Sequence, residues 1–228
     1  MNNIKEHFNS ESKEYDEIIL KLIPYYKEMV KALVDSIPYN TDSKIKIIDL
    51  GCGTGTISEL ISKKFPNAQI ICLDIAKKMI EMAKLKLSSY NNIEYVVGDF
   101  YQMSNISNEF DVVVSSLALH HLETDSDKIN FYQTIYNNLK SGGVFFNADV
   151  VLGSNDYLQN KNMSRWIEFM NKSVSLKEIQ DKWIPTYKSE DRPTQLIKQL
   201  KWLEKIGFQS VDIIWKYYNF SVYGGSKH

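Results

Sequence analysis

Three aspartates, Asp49, Asp74 and Asp99, each stand at or just beyond the end of a short apolar run that predicts a β-strand. The carboxyl ends of neighbouring parallel strands meet at one edge of a sheet, and open α/β sheets bind their ligands there. We therefore expect the three carboxylates to surround one crevice. Carboxylates can accept hydrogen bonds from ribose hydroxyls, an ammonium group or an adenine amino group, whereas they would repel the phosphates of a dinucleotide.

A glycine-rich turn stands in the same region, in the sequence IIDLGCGTGTI at residues 47–57. Gly51, Gly53 and Gly55 lack Cβ atoms, so the backbone can turn sharply and approach a ligand closely. A dinucleotide-binding turn would have its third glycine at position 56, where Thr56 stands, and no Gly-Lys-Ser/Thr sequence of a P-loop is present. The turn and the three acids together predict a site for an adenosine that carries a cationic amino-acid tail.

His120 and His121 follow the fourth predicted strand and are the candidate catalytic residues, because histidine is the usual general base near neutral pH. A local packing role is the alternative, since no carboxylate stands at a fixed spacing from either residue. We expect no metal here, because the two histidines are adjacent and the sequence shows no second group of ligands. Cys52 and Cys72 also fit no metal or disulfide spacing.

Short apolar runs alternate with amphipathic segments through the middle of the chain, which is typical of βαβ units. The runs that predict strands are residues 45–50, 69–74, 93–97, 111–115 and 143–151. The segments that predict helices between them are residues 56–65, 76–87 and 126–140. We therefore expect an α/β fold with a doubly wound, mostly parallel sheet and helices on both faces.

The flanking segments have other patterns. Residues 16–37 carry apolar side chains at helical spacing with a break at Pro24, and they predict a helical cap over about residues 1–40. Residues 154–190 predict a helical lid inserted over a sheet edge. A helix at about 193–206 and an antiparallel hairpin would then complete a seven-stranded sheet, so residues 1–228 are expected to form a single domain.

The composition is that of a soluble globular protein. The formal net charge of −1 gives no global attraction to nucleic acid or to an acidic membrane surface. No apolar run is long enough for a membrane span, and the polar N-terminal sequence does not resemble a signal peptide. We expect a cytosolic protein that does not bind membranes and is a monomer or a homodimer.

Five blocks in order resemble the class I S-adenosylmethionine-dependent methyltransferases. They are DLGCGTG at 49–55, LDIAKKMIEMAK at 73–84, GDF at 98–100, FDVVVSSLALHHL at 110–122 and LKSGGVFFNAD at 139–149. The resemblance extends over the chain from about residue 8. It implies the Rossmann-like methyltransferase fold, S-adenosylmethionine as the cofactor and methyl transfer as the activity.

The same resemblance implies where the methionine and ribose moieties of the cofactor bind. Gly51, Gly53 and Gly55 would pass against these two moieties. Asp49 would lie near the amino group of the ligand, and Asp74 would take the ribose hydroxyls.

The resemblance also implies the adenine contacts. Ile75 and Met79 would pack near the adenine, Asp99 would bind its amino group, and Phe100 would lie along the ring. Ser115 and Leu117 would supply backbone contacts near the sulfonium. Tyr15 resembles the N-terminal tyrosine that closes over the cofactor in many relatives.

The acceptor is less evident, and a small molecule methylated at O, N or S is the leading expectation. The tetrapeptide typical of amino-methylases of nucleic-acid bases would follow the fourth strand, where SSLALHH stands instead. We expect the insertion at 154–190 to select the acceptor. Arg165, Lys188 and Arg192 are candidates for binding an anionic acceptor, although solvated surface charge is their default role.

The C-terminal sequence WLEKIGFQSVDIIWKYYNFSVYGG resembles the branch that contains carboxy-S-adenosylmethionine synthase, which is related to wobble-uridine modification in tRNA. An arginine before the Gly-Phe pair holds the extra carboxylate in that synthase, and alignment on Gly207 and Phe208 places Trp202 there. A carboxylate without a cation would be costly to bury, so we expect ordinary S-adenosylmethionine. A tRNA-modifying enzyme and a non-catalytic, cofactor-binding regulatory subunit are the alternatives.

Overall fold

The computed structural model describes residue 6, residues 14–106 and residues 109–228. The predicted helical cap over about residues 1–40 is therefore covered only in part, because residues 1–5 and 7–13 lie outside the described residues. From residue 14 onward, the elements can be compared directly with the pattern of the sequence.

Seven strands form one sheet in the order β3-β2-β1-β4-β5-β7-β6. They are β1 (Lys46–Leu50), β2 (Gln69–Asp74), β3 (Ile93–Val97), β4 (Phe110–Ser116), β5 (Leu139–Val150), β6 (Gln209–Tyr217) and β7 (Phe220–Ser226). Strands β1 to β5 are parallel, and β7 is antiparallel to both β5 and β6. The predicted fold class and the C-terminal hairpin are confirmed.

The central strands are apolar because both faces of the sheet are covered. Successive residues of a strand point to opposite faces. Ile47 belongs to the core cluster on one face and Ile48 to the cluster on the other, and both are fully buried. A run such as KIIDL therefore identifies a strand buried on both sides.

The helices follow the amphipathic segments closely. They are α1 (Tyr15–Leu22), α2 (Tyr26–Asp35), α3 (Thr56–Lys64), α4 (Lys77–Lys86), the short α5 (Met103–Ile106) and α6 (Asp125–Asn138). Pro24 lies in the turn between α1 and α2, as its position predicts. Thr124 and Asp127 form a reciprocal capping box that starts α6. No helix among the described residues combines the length and apolar character that a membrane span requires.

The predicted insertion is helical. It comprises α7 (Asp156–Met170), α8 (Leu176–Glu178), a π-helical turn (Ile179–Trp183) and α9 (Ile184–Glu190), and α10 (Leu196–Ile206) follows it. The indole N–H of Trp166 donates to the backbone oxygen of Leu22 at 2.6 Å, and its ring lies 5.5 Å from that of Phe220. The insertion is thereby joined to α1 and to the start of β7, above the carboxyl end of β5.

A buried polar network links the sheet to the helices on one face. The hydroxyls of Tyr132 and Tyr223 both donate to Gln199 Oε1 at 2.5 Å. The side-chain amide of Asn147 donates to the Tyr223 hydroxyl at 2.9 Å and to Asp149 Oδ2 at 3.2 Å. Since all five side chains are buried, each depends on the others for hydrogen bonds that water would otherwise supply.

We predict that Tyr223→Phe lowers the free energy of unfolding by about 1–2 kcal/mol, because it removes a donor from Gln199 and an acceptor from Asn147 in a buried environment. Urea denaturation measures the change. Tyr157→Phe is the matched control, since Tyr157 is 72% exposed. A loss below about 0.5 kcal/mol for Tyr223→Phe would show that the network contributes no more than an ordinary surface contact.

Candidate active site

The glycine turn between β1 and α3 uses a left-handed backbone at each glycine, with φ of +69° at Gly51, +54° at Gly53 and +85° at Gly55. A Cβ on Gly51 would stand 2.4 Å from Ala118 Cβ, so this position has no room for a side chain. The N–H of Gly53 donates to Asp74 Oδ2 at 2.9 Å, which ties the turn to the end of β2. The turn therefore presents bare backbone beside a carboxylate.

Gly55 differs from the other two glycines. A Cβ there would stand 2.8 Å from Leu87 Cδ1 and 3.3 Å from Ala83 Cβ. The residue is thus required by the close packing of the start of α3 on the end of α4. Gly55 does not line the cavity beside the turn, and its predicted contact with the cofactor stays a prediction.

Asp74 ends β2 and is buried. Its Oδ1 accepts the backbone N–H of Ala76 at 2.8 Å, and its Oδ2 accepts that of Gly53. Burial raises the pKa of the carboxyl, and the two backbone hydrogen bonds oppose that shift. These bonds fix the carboxylate in one orientation, and each oxygen keeps a further lone pair for a ligand hydroxyl.

Asp49 lies in β1 and has no exposed surface. Its Oδ2 accepts the hydroxyl of Ser58 at 2.8 Å, whereas no described residue donates a hydrogen bond to its Oδ1. Burial is the main cause that raises the pKa of this carboxyl to about 7. An unsatisfied carboxylate oxygen in a buried place suits a cationic donor, such as the ammonium group of an amino-acid tail.

A cavity of about 600 Å³ opens beside the turn, and we call it the glycine-turn cavity. It brings together nine of the residues expected to bind the cofactor: Tyr15, Gly51, Gly53, Asp74, Ile75, Met79, Asp99, Phe100 and Leu117. Asp49 borders a smaller adjoining cavity that shares Tyr15, Gly51 and Gly53 with it. The Asp99 carboxylate also accepts the backbone N–H of Tyr101 at 3.0 Å, which fixes the turn that carries Phe100.

Ser115 does not line the glycine-turn cavity, and its predicted backbone contact near the sulfonium stays a prediction. Its side chain is buried between strands, where the hydroxyl donates to the backbone oxygen of Leu50 at 2.8 Å. Ser116, the last residue of β4, lines the cavity, because successive side chains of a strand alternate in direction. Gly98 and Ala118 also line it without a signal in the sequence.

Leu117 has a left-handed backbone with φ of +50°, which is uncommon for a residue with a branched side chain. Its N–H donates to the backbone oxygen of Ala148 at 2.8 Å, which holds the end of β4 against β5. Leu117 lines the glycine-turn cavity and a second cavity next to it. Strained backbone is common at functional sites.

Tyr15, at the start of α1, also lines both cavities. Its ring atom Cε1 is 4.0 Å from where a Cβ on Gly53 would stand. Burial is the main cause that raises the pKa of its hydroxyl well above the usual value, so the side chain stays neutral. Tyr15 thus forms a wall over the glycine turn, where an aromatic ring could close on a ligand.

The second cavity measures about 800 Å³ and is lined mainly by apolar and aromatic side chains, so we call it the aromatic cavity. Helix α1 supplies Ile18, Ile19 and Leu22, and the insertion supplies Trp166, Met170, Trp183 and Tyr187. The Trp166 and Tyr187 rings meet edge to face at 5.1 Å. His120, His121, Glu190 and Asp191 provide its polar end. A mainly apolar and aromatic lining with a few convergent polar groups is typical of a small-molecule site.

His120 lies on a 3₁₀ turn (Leu119–His121) just beyond β4. Its Nδ1 is 2.5 Å from Asp149 Oδ1, and its Nε2 is 3.4 Å from Asp191 Oδ1. Burial opposes a charge on the ring, but the carboxylates of Asp149 and Asp191 outweigh it and raise the pKa of His120 to about 10. A proton is therefore held on this ring at neutral pH, and a carboxylate faces each of its nitrogens.

His121 lines both cavities. Burial, followed by the charge of His120, lowers the pKa of His121 to about 3, so its ring is neutral. Its Nδ1 lies 3.4 Å from the backbone oxygen of Glu190 and 3.7 Å from Asp191 Oδ1. The sequence showed neither carboxylate partners nor a third ligand near the histidine pair, because β5 and the end of the insertion supply Asp149 and Asp191 from far along the chain.

The comparisons with known proteins agree with this geometry. A family model described as a methyltransferase domain matches residues 47–143, which include the glycine turn, the three acids and the histidine pair. The chain belongs to the class I S-adenosylmethionine-dependent methyltransferases, and S-adenosylmethionine is its cofactor. The fit of that cofactor is supported by the glycine-turn cavity and by the unsatisfied Asp49 Oδ1.

The relatives differ in what they are named for. The chain is 26% identical over 212 residues to carboxy-S-adenosyl-L-methionine synthase of Helicobacter hepaticus, with 90% of this chain and 87% of that protein covered. It is 30% identical over 141 residues to malonyl-[acyl-carrier protein] O-methyltransferase of Priestia megaterium, but spans only 48% of that protein. The fold matches an O-methyltransferase family protein of Burkholderia thailandensis at a TM-score of 0.69 and 13% identity, covering 99% of this chain and 62% of that one.

We predict that the affinity for S-adenosylmethionine falls as the pH is lowered from 8 to 6. The pKa of Asp49 is raised to about 7, so acid protonates the carboxyl that would receive the ligand ammonium, at a cost approaching about tenfold per pH unit below the pKa. Calorimetric titration at each pH measures this. Asp49→Asn should bind about tenfold more weakly and lose most of the pH dependence. An unchanged slope in that variant would contradict the role of Asp49.

Proposed function

We propose that this methyltransferase acts on a small molecule held in the aromatic cavity and methylates an O, N or S atom. One observation carries the proposal: the glycine-turn cavity and the aromatic cavity adjoin each other and share Tyr15, Leu117 and His121 in their walls. A donor in the first and an acceptor in the second would meet at that shared wall.

S-adenosylmethionine, when bound, supplies a methyl group that is activated by the positive charge on its sulfur. The rest of the cofactor leaves as a neutral thioether. The work of the chain is then to align the two reactants and to exclude water. Asp74 and Asp49 would fix the ribose and ammonium ends of the donor. Tyr15 and Leu117 would position the sulfonium side toward the aromatic cavity, and the aromatic walls would keep water away from the transfer.

The lining of the aromatic cavity favours an acceptor with an apolar body. Neither lysine nor arginine lines it among the described residues. Arg165 pairs instead with Glu168 at 2.7 Å on the surface of α7, while Arg192 is held by the backbone oxygens of Asp191 and Ser189. The protonated ring of His120 does line the cavity, but the carboxylates of Asp149 and Asp191 already pair with it, which leaves no unpaired cation there for an anionic acceptor among the described residues.

The histidine pair would not act as a simple general base. Both nitrogens of His120 face carboxylates, so we assign this residue a positioning role between β5 and the end of the insertion. His121 is neutral at pH 7 and lies at the shared wall, where it could accept a hydrogen bond from an acceptor hydroxyl or amine. A group with a pKa of about 3 is a weak proton acceptor, which argues against a general-base role for His121. That role stays a prediction.

Synthesis of carboxy-S-adenosylmethionine is the second candidate, because the synthase of Helicobacter hepaticus matches 90% of this chain. Trp202 counts against it: this residue lies on α10, packs half-buried against a core cluster, and does not line the glycine-turn cavity. Mass spectrometry of the nucleoside that co-purifies with the protein separates the two. A carboxylated cofactor would favour the synthase, and S-adenosylmethionine or its demethylated product would favour methyl transfer.

The main test supplies S-adenosylmethionine labelled in its methyl group to the protein together with a small-molecule extract of the source cells or with their tRNA. We expect label in a small molecule. Label in tRNA, bound with strong salt dependence, would instead support the tRNA-modifying alternative. Cofactor binding without transfer to either fraction would support the regulatory-subunit alternative.

We predict that Thr186→Trp abolishes turnover while S-adenosylmethionine affinity changes by less than about twofold, since Thr186 lines only the aromatic cavity and an indole would fill it. Calorimetry measures cofactor binding, and transfer of label measures turnover. Ser189→Trp on the same helix is the matched control, because Ser189 is exposed and lines neither cavity. Equal turnover in the two variants would mean that the acceptor binds elsewhere.

A further inference from the structure

Three possible metal ligands converge at the polar end of the aromatic cavity. Asp191 Oδ1 lies 3.4 Å from His120 Nε2 and 3.7 Å from His121 Nδ1, and the ligand atoms of the three residues all lie within 4.8 Å of one another. Ligands bound to one zinc ion at roughly 2.0–2.2 Å in tetrahedral geometry are about 3.4 Å apart. Small side-chain rotations would therefore bring all three atoms onto a single ion.

The surroundings of His120 strengthen this reading. A metal-bound histidine almost always donates its other ring N–H to a carboxylate or a carbonyl, which orients the ring. His120 Nδ1 lies 2.5 Å from Asp149 Oδ1, so its N–H can donate to this carboxylate while Nε2 is left for the metal. Asp149 is itself fixed by the backbone N–H of Val150 at 2.9 Å and by the Asn147 amide at 3.2 Å. The buried carboxylate of Asp149 therefore holds the ring with Nε2 directed at Asp191, as a metal site requires.

The ligands also come from backbone that is held in place. The N–H of Arg192 donates to the backbone oxygen of His120 at 3.0 Å, so the end of the insertion is fastened directly to the histidine turn. The two histidine rings lie 4.1 Å apart, centre to centre. Two separate segments therefore present three ligand atoms without a change of fold.

One competing contact must give way. His121 Nδ1 lies 3.4 Å from the backbone oxygen of Glu190, so metal binding through Nδ1 would place the imidazole proton on Nε2. That contact is longer than an ordinary N–H···O hydrogen bond, so its loss costs little. His120 Nε2 would release its proton to water as the ion binds, and the carboxylate of Asp191 would exchange its contact with that N–H for direct contact with the ion.

We propose that His120, His121 and Asp191 bind one divalent transition-metal ion, with Zn²⁺ as the best fit, and that Asp149 supports the site through His120. Two imidazoles and one carboxylate favour zinc and its neighbours over Mg²⁺, which prefers oxygen ligands. All three residues line the aromatic cavity. A fourth coordination position would therefore face the acceptor.

The consequence for catalysis rests on the proposed function. An acceptor hydroxyl bound to the ion would lose its proton to water more readily, because a bound metal lowers the pKa of its oxygen ligand. The oxygen lone pair would then form the bond to the methyl carbon as the carbon–sulfur bond breaks. The chain would need no histidine base for this step.

The test uses the full chain without an affinity tag, freed of metal by a chelator. Calorimetry with Zn²⁺ should give one ion per chain, and Co²⁺ should develop the intense visible absorption of a low-symmetry nitrogen and oxygen site. Asp191→Asn and His121→Ala should each weaken Zn²⁺ binding more than about 100-fold, and Asp149→Asn by about 10- to 100-fold. Mg²⁺ should not compete with Zn²⁺.

Asp181→Asn and His228→Ala are the matched controls, since both side chains are exposed and neither lies in the cluster. Circular dichroism verifies that each variant is folded. The Asp191 and His121 variants decide the question. Binding of much less than one ion, or equal affinity in the control and ligand variants, would overturn the proposal. Since no readout involves methyl transfer, failure here is distinct from failure of the proposed function.

Discussion

The polar end of the aromatic cavity depends on one buried contact, in which the His120 ring lies between the carboxylates of Asp149 and Asp191. These residues come from the turn after β4, from β5 and from the end of the helical insertion. Buried charges are tolerated only when paired, so the three segments can come together in few other ways. Asp149 is in turn held by Asn147, which belongs to the tyrosine network reaching α10. The position of the insertion is thus set from within the sheet.

The glycine-turn cavity and the aromatic cavity meet at the carboxyl end of β4. Leu117 adopts a left-handed backbone there and lines both cavities, as His121 does a few residues later. Because this backbone is also hydrogen-bonded to β5, a shift of this wall of the aromatic cavity would have to move the central sheet. A rigid junction of this kind suits an in-line transfer, in which small errors of alignment between the two reactants are costly.

The sequence predicts which residues gather around the glycine-turn cavity, because most of them follow a strand whose place the chain order determines. Asp74 and Asp99 lie where β2 and β3 end, and the glycines fill the turn after β1. Local packing adds what no motif reports. Ser116 rather than Ser115 lines the glycine-turn cavity because neighbouring residues of a strand face opposite ways, and Gly55 packs closely against the end of α4. Partners such as Asp149 and Asp191 were not predictable, because only the tertiary fold brings them to His120.

Membership of the family indicates the methyl donor but does not indicate the acceptor, because the matched residues and the walls of the aromatic cavity lie in different parts of the chain. The family model matches residues 47–143, whereas the aromatic cavity takes most of its walls from α1 and from the insertion that ends at Glu190. An apolar wall can be built from many side chains of similar volume, so its sequence carries little information about the ligand. Substitutions there can change the acceptor while the glycine turn and its acids stay fixed, which is consistent with relatives named for different reactions.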